Sequence, residues 1–146
     1  MKVKFRAFVP VDVVTVHSQM PYDLTEGTRG MVAYNPDTTE TLAIFLAESW
    51  TANSASIHGI ILQRMVLRHG WLEEIADYMF TRAARKQLYT VVRDDNKRSL
   101  RLIEKLGFRQ VARLEDAVAN GIDYLIFELK RENCAYWQQP ALQKVS

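Results

Sequence analysis

The sequence predicts one mixed α/β domain: a largely antiparallel sheet with a single parallel strand pair at its centre. Three observations predict it. Residues 57–92 read as strand, helix, strand, and a crossover of that kind joins parallel strands with a right-handed turn. On either side lie two hairpin patterns, 31–50 turning at Asn35-Pro36-Asp37 and 109–130 turning at Ala119-Asn120-Gly121. Between the crossover and the second hairpin, Leu88 to Phe108 reads as a strand, a polar turn and a helix stopped by glycine.

The elements follow in chain order. Val3 to Val9 alternates as a first strand, and Pro10 suits the first turn of a helix. Val13, Val14, Val16 and Met20 predict a helix over 11–20, ended by Pro21. Residues 22–30 are a short helix or loop and a turn, placed where a substrate-shaping segment would sit. Met31–Asn35 and Thr41–Trp50 are the first hairpin, and the small polar run Thr51–Ser56 is a loop. Ile57 to Leu67 is a long strand whose Gly59 marks a bulge or a close backbone approach.

A helix over 70–86 comes next. Leu72, Ile75, Ala76, Met79, Phe80 and Ala83 recur on one face, with Glu73, Glu74 and Asp77 early and Arg82, Arg85 and Lys86 late, as the helix dipole favours. LYTVV at 88–92 is a β-branched and aromatic strand. Asn96 is the expected N-cap of the next helix, and Ser99, Leu102, Ile103 and Leu106 form its inner face. Gly107 supplies a left-handed stop, from which Phe108 folds back onto Ile103. Arg109–Leu114 and Asp123–Lys130 close the sheet, the latter burying Leu125, Phe127 and Leu129. The domain is expected to span 1–135. In the segment 136–146, Tyr136 and Trp137 dock and the remainder frays.

Composition bounds the function. A chain of 146 residues, 48% hydrophobic and 25% charged, can bury a core without staples. Nineteen basic against 17 acidic residues argue against a dedicated nucleic-acid binder. Cys134 is the single cysteine, and His17, His58 and His69 show no i, i+4 pairing, so neither a disulfide framework nor a zinc site is expected. Adjacent Asp94 and Asp95 are too few ligands for a metal. The charged N-terminus, broken by Pro10, is no signal peptide. No apolar run reaches the roughly 18 residues of a membrane span, and a soluble protein of a reducing compartment is expected.

The element order resembles the GNAT N-acetyltransferase family over nearly the whole chain, most specifically in Asn96-x-x-Ser99 leading to Lys105-x-Gly107-Phe108. The resemblance implies a mixed sheet with helices on both faces, whose central parallel strands splay apart to admit the pantetheine arm of acetyl-CoA. It implies acetyl transfer to a small-molecule or protein amine, by direct attack in a ternary complex. Leu67, Arg68, His69, Gly70 and Trp71 would be the pyrophosphate cradle, at a helix N-terminus that offers free N–H groups. Asn96 and Ser99 would lie against the cofactor, with Asn96 near its thioester end.

Two departures from that family are visible. Its cradle is usually Q/R-x-x-G-x-G/A, whereas 65–72 carries one glycine, followed by Glu73 and Glu74, whose carboxylates would repel a pyrophosphate. Ile103 stands where many relatives have a tyrosine that protonates the leaving thiolate, so the acid would be water, Tyr124 or another residue. The strings VLRHGWLEEIADYMF, GIDY and ENC-x-Y-W further resemble GNAT-like proteins of bacteriophage and prophage genomes, some of them virion-associated. That likeness implies host cytoplasm or virion as the location. It also implies a second function: a catalytically silent module that binds virion proteins.

Acetyl transfer needs a base for the substrate ammonium. Glu48, which interrupts an apolar face of Leu42, Ile44 and Leu46, and His58 on the long strand are the candidates. Each also has a structural reading, an edge carboxylate and a hydrogen-bonded sheet histidine. Arg68 and His69 serve equally as helix-capping loop residues, and Asn96 is a cap before it is a ligand group. The basic run of Arg93, Lys97, Arg98 and Arg101 is a solvated helix face or a contact for the cofactor's 3′-phosphate. A homodimer through the final strand and Trp137 is also expected.

Overall fold

A computed structural model describes residues 2–140. Seven strands form one sheet: β1 (Lys4–Ala7), β2 (Arg29–Tyr34), β3 (Thr41–Glu48), β4 (Ser54–Ile61), β5 (Gln87–Arg93), β6 (Arg109–Ala119) and β7 (Ile122–Lys130). Their spatial order is β1-β2-β3-β4-β5-β7-β6. Every neighbouring pair is antiparallel except β4 and β5. That single exception is the central parallel pair the crossover pattern predicts.

Alternation along the strands divides the core. Val32, Ile44, Leu46 and Ile60 face α1 (Val13–His17) and its buried Val16. Met31, Ala33, Phe45, Ala47 and Ile57 face the opposite way, with Trp71, Leu72 and Ile75 of α2 (Trp71–Ala76) packed on them. The larger cluster continues through Leu88, Leu125, Phe127 and Leu129 to Ile103 and Leu106 of α3 (Lys97–Leu106). Helices therefore cover both faces.

Several boundaries differ from those read in the sequence, each for a local reason. The predicted strand 57–67 runs instead from Ser54 to Ile61. Its start moves earlier because Ser54, Ala55 and Ser56 all pair with β5, and Ser56 pairs with Glu48 of β3 as well, so register overrides their weak strand propensity. Its end comes early because β3 begins at Thr41. Ile61 pairs with Ala43, the N–H groups of Leu62 and Gln63 both reach the Leu42 carbonyl, and Arg64–His69 then coils into a 3₁₀ turn. Gly59 makes no bulge, since the β3–β4 register is continuous there.

The helix predicted over 70–86 is α-helical only to Ala76 and widens to a π-helix over Asp77–Arg82. Its apolar face survives the change, with Met79 and Phe80 buried. The helix expected over 11–20 is shorter too, a 3₁₀ turn at Pro10–Asp12 followed by α1. In contrast, β6 extends to Ala119, five residues past the predicted Leu114.

The punctuation of α3 follows its residues closely. Asn96 Oδ1 accepts from the Ser99 N–H at 3.2 Å. At the other end the N–H of Phe108 reaches the Ile103 carbonyl and that of Gly107 reaches Glu104, both at 3.0 Å, the two bonds of a Schellman stop. Gly107 has φ 109°, and a Cβ there would lie 2.4 Å from the Asn133 carbonyl oxygen. The segment after β7 docks as expected. Trp137 Nε1 donates to Thr81 Oγ1 at 2.9 Å and its ring meets Phe80 edge-on at 6.0 Å. The Trp137 indole, expected at a dimer contact, is thus engaged within its own chain. The tail expected to fray lies mostly outside the described residues.

Candidate functional site

Strand β4 lies between two cavities. The first is set by the β3–β4 register. Glu48 pairs with Ser56, so His58, two residues further on, lies diagonally across from it on the α1 face. That diagonal brings His58 Nε2 within 2.9 Å of Glu48 Oε1. The other carboxylate oxygen, Oε2, accepts from the Tyr22 hydroxyl at 2.5 Å. Tyr22 sits in the irregular segment between α1 and β2, with its hydroxyl 3.2 Å from Thr28 Oγ1 and its ring edge-on to His58 at 5.6 Å.

Because an ionised carboxylate only accepts, the shared hydrogen resides on His58 Nε2. Neutral His58 then keeps an open lone pair on Nδ1. The Tyr22 phenol is pushed up to about 12, first by burial and then by the adjacent Glu48 carboxylate. It is therefore a fixed hydrogen-bond donor near neutral pH, and a poor acid. The three groups open onto a cavity of about 430 Å³, also lined by Met20, Asp23 and Thr25. Two carboxylates and no lysine or arginine line it, which favours a cationic guest.

The second cavity lies where β4 and β5 part. Their pairing is limited to Ser54–Gln87, Ala55–Leu88 and Ser56–Tyr89. Beyond it the Thr90 hydroxyl donates to the Ile57 carbonyl at 2.9 Å, the last tie before the strands diverge. A Cβ on Gly59 would meet nothing within 4 Å, so the strand edge there is open. A cavity of about 360 Å³ runs from Ile60, Ile61 and Leu67 across to Asn96, Ser99 and Leu102 of α3. Met20 lines both cavities, so they are contiguous at the end of the α1 segment.

The predicted site residues distribute unevenly over this geometry. Glu48 and His58 are in contact. Leu67, Asn96 and Ser99 line the cleft between the strands. Arg68 and His69 are exposed on the 3₁₀ turn and do not line it. Gly70 is left-handed at φ 82° and precedes α2, while Trp71 is buried with its ring 5.6 Å from that of Phe5. Tyr124 pairs with Arg93 and Leu114 on β7 and lines neither cavity. Glu73 and Glu74, expected to repel a phosphate, also lie outside the cleft. Glu74 is held by Arg82 at 2.6 Å.

Sequence reasoning missed Tyr22, because nothing in a loop of mixed polar residues marks one tyrosine as facing a carboxylate 26 positions away. It also missed Arg64 and Lys105, which line the cleft. The spacing of Arg98, Arg101 and Lys105, three and then four residues apart, was the available signal. Among the described residues no group of three or more histidine, cysteine or acidic side chains could hold a metal, and no helix is long and apolar enough to cross a membrane.

No protein-family model and no curated protein matches the chain. Solved structures do. The spermidine/spermine N-acetyltransferase SpeG from Vibrio cholerae, in complex with manganese ions, is similar with a TM-score of 0.72 at 16% identity. The match covers 89% of this chain and 93% of that one. Spermidine N-acetyltransferase from Vibrio cholerae in complex with CoA and spermine gives 0.72 at 16%, over 90% and 96%. A chimera of Vibrio cholerae SpeG and hSSAT gives 0.71 at 15%, over 90% and 98%. At such identities the likeness concerns the fold, which is the GNAT-like α+β fold.

Proposed function

We propose that the protein is an acetyl-CoA-dependent N-acyltransferase that moves an acetyl group to a cationic amine by direct attack within a ternary complex. The observation that carries this is the contiguity of two unlike cavities across β4, one acidic and holding a histidine–carboxylate pair, the other an open cleft between diverging parallel strands. The cleft fits the cosubstrate. Its walls at Ile60, Ile61, Leu67 and Leu102 are apolar, its mouth is polar, and no carboxylate lines it. Bound there, acetyl-CoA supplies the activated acyl carbon as a thioester.

His58 is the base. Both oxygens of Glu48 already accept a hydrogen bond, from Tyr22 and from His58. Those bonds occupy the carboxylate and leave His58 Nδ1 as the open acceptor. Glu48 orients the ring and stabilises the imidazolium formed when His58 takes the proton of the substrate ammonium, the role a carboxylate plays behind any catalytic histidine. Asp23 and Glu48 attract the cation. The polyamines named for the similar structures, spermidine and spermine, are the first acceptors to try.

A thermal-shift titration with acetyl-CoA tests the reading, since a ligand that binds the native state raises the melting temperature. It is followed by an assay of CoA thiol release with spermidine, spermine and simple primary amines. Stabilisation and amine-dependent thiol release are expected. No shift at millimolar acetyl-CoA would refute the enzyme and leave the catalytically silent binding module.

A further inference from the structure

The cleft between β4 and β5 carries four cations and no anion. Arg98, Arg101 and Lys105 project from successive turns of α3, and Arg64 faces them from the 3₁₀ turn after β4. All four are exposed, and none takes part in an ion pair or side-chain hydrogen bond among the described residues. The neighbouring cations are otherwise occupied. Arg93 is held by Asp95 at 2.9 Å, Lys97 donates to the Asp94 carbonyl at 3.0 Å, and Arg113 is paired with Asp123. Like charges converging on one cavity without counter-charges are unfavourable unless an anion joins them.

Accepting the acyl-transfer reading, we propose that Arg64, Arg98, Arg101 and Lys105 form a side-chain clamp for the pyrophosphate and 3′-phosphate of the coenzyme A cosubstrate. The clamp does the work that backbone amides do in a glycine-rich cradle. The chain has one glycine at the start of α2, and the exposed Arg68 and His69 beside it do not line the cleft. Guanidinium groups compensate, because each can bind phosphate oxygens in a two-pronged fashion and reach them along a flexible stem. Such a clamp tolerates Leu72 and the carboxylates of Glu73 and Glu74 at the helix start, since the phosphates never lie against them. The apolar pantetheine arm then runs inward past Leu102 and Ile60 toward Met20, where the acidic cavity begins.

Calorimetric titration of the full chain tests the clamp, with CoA, dephospho-CoA and inorganic pyrophosphate as probes. Arg98→Ala, Arg101→Ala and Arg64→Ala are each expected to weaken CoA binding about tenfold or more, with an unchanged melting temperature because all three side chains are exposed. Wild-type affinity should fall as salt is raised, and the preference for CoA over dephospho-CoA should shrink in at least one variant. Arg98→Lys should keep part of the affinity. Dissociation constants within twofold of wild type in all three variants overturn the clamp. So does an equal or larger loss in Arg68→Ala, which would put the phosphates at the start of α2. If wild type ignores CoA, the acyl-transfer reading fails. Pyrophosphate binding that is lost in the arginine variants would then still support the cation cluster as a polyphosphate site, and its absence would overturn that as well.

Discussion

The two cavities beside β4 differ in how far their polar groups are satisfied by one another. In the acidic cavity, Glu48 spends both carboxylate oxygens on Tyr22 and His58, so the constellation is wired before any guest arrives. In the cleft, Arg64, Arg98, Arg101 and Lys105 have no partners among the described residues and share a mouth with no counter-charge. One region is preorganised, the other waits for charge. This is the division that direct transfer asks for: the proton acceptor has to be aimed accurately, whereas a long phosphorylated cosubstrate is held by groups that adapt to it.

Breaking the wired side should have the largest effect. Glu48→Gln preserves the shape and an acceptor for Tyr22 but removes the negative charge behind His58. Amine-dependent thiol release is expected to fall by about a hundredfold or more, with little change in the binding of CoA. His58→Gln should fall by a similar factor, and the double variant by little more than either alone, because the pair acts as one unit. Fully additive losses in steady-state rates would show that the two residues act separately and that the hydrogen bond between them is only structural.

The second test reaches the cleft through its wall. Gly107→Ala asks for φ 109° from a residue with a Cβ and places that Cβ 2.4 Å from the Asn133 carbonyl oxygen. Left-handed strain alone is worth about 1–2 kcal/mol, and the clash adds to it. A loss of about 2–4 kcal/mol in denaturant unfolding is expected, with CoA binding weakened more than the Glu48–His58 geometry, since α3 lines only the cleft. An unchanged midpoint would mean that the turn after α3 relaxes freely.

How much of this could be read in the residues varies with how local the signal is. The stop at Gly107-Phe108 and the cap at Asn96 were legible because a helix end is decided within five residues. The parallel pair was legible because a helix between two strands leaves little choice of direction. The ends of β4 were not, since Ser54 to Ser56 become a strand only through pairing with β5, joined at Ser56 by β3, and Leu62 leaves it only because β3 runs out at Thr41. Glu48 and His58 could be nominated singly, as polar residues on apolar strands. Their contact depends on register, and Tyr22 completes it from a loop with no periodicity at all.

A smaller effect is expected where α1 is anchored, upstream of both cavities. Arg6 grips Asp12 with two hydrogen bonds, of 2.8 and 2.7 Å, and the Val9 N–H adds a third at 2.9 Å. Burial works against the Asp12 carboxylate, yet Arg6 and Val9 outweigh it and hold the group below the ordinary 3.8. Because the folded value is depressed, this contribution to stability is present above about pH 4 and is lost as pH falls through the folded value. Asp12→Asn should cost about 1–2 kcal/mol at neutral pH, at the modest end because Arg6 is partly exposed. The gap from wild type should close in acid. A gap that stays constant down to pH 2 in chemical unfolding would assign the loss to packing.

Tyr22 gives the smallest and most discriminating change. Its phenol, raised to about 12 from the ordinary 10.0, keeps its proton in the folded protein while the unfolded chain begins to release it. The stability it contributes is therefore complete below about pH 10 and lost as pH rises toward 12. Tyr22→Phe should remove the highest-pH component of the tyrosinate absorbance titration, and Glu48→Gln should move that component down by taking away the neighbouring charge. Near neutral pH, Tyr22→Phe should slow turnover only about fivefold, the worth of one hydrogen bond to a carboxylate that His58 still holds. A loss as deep as that of Glu48→Gln would mean that the phenol moves a proton during turnover. The acidic cavity would then be a three-membered relay instead of a histidine with a braced partner.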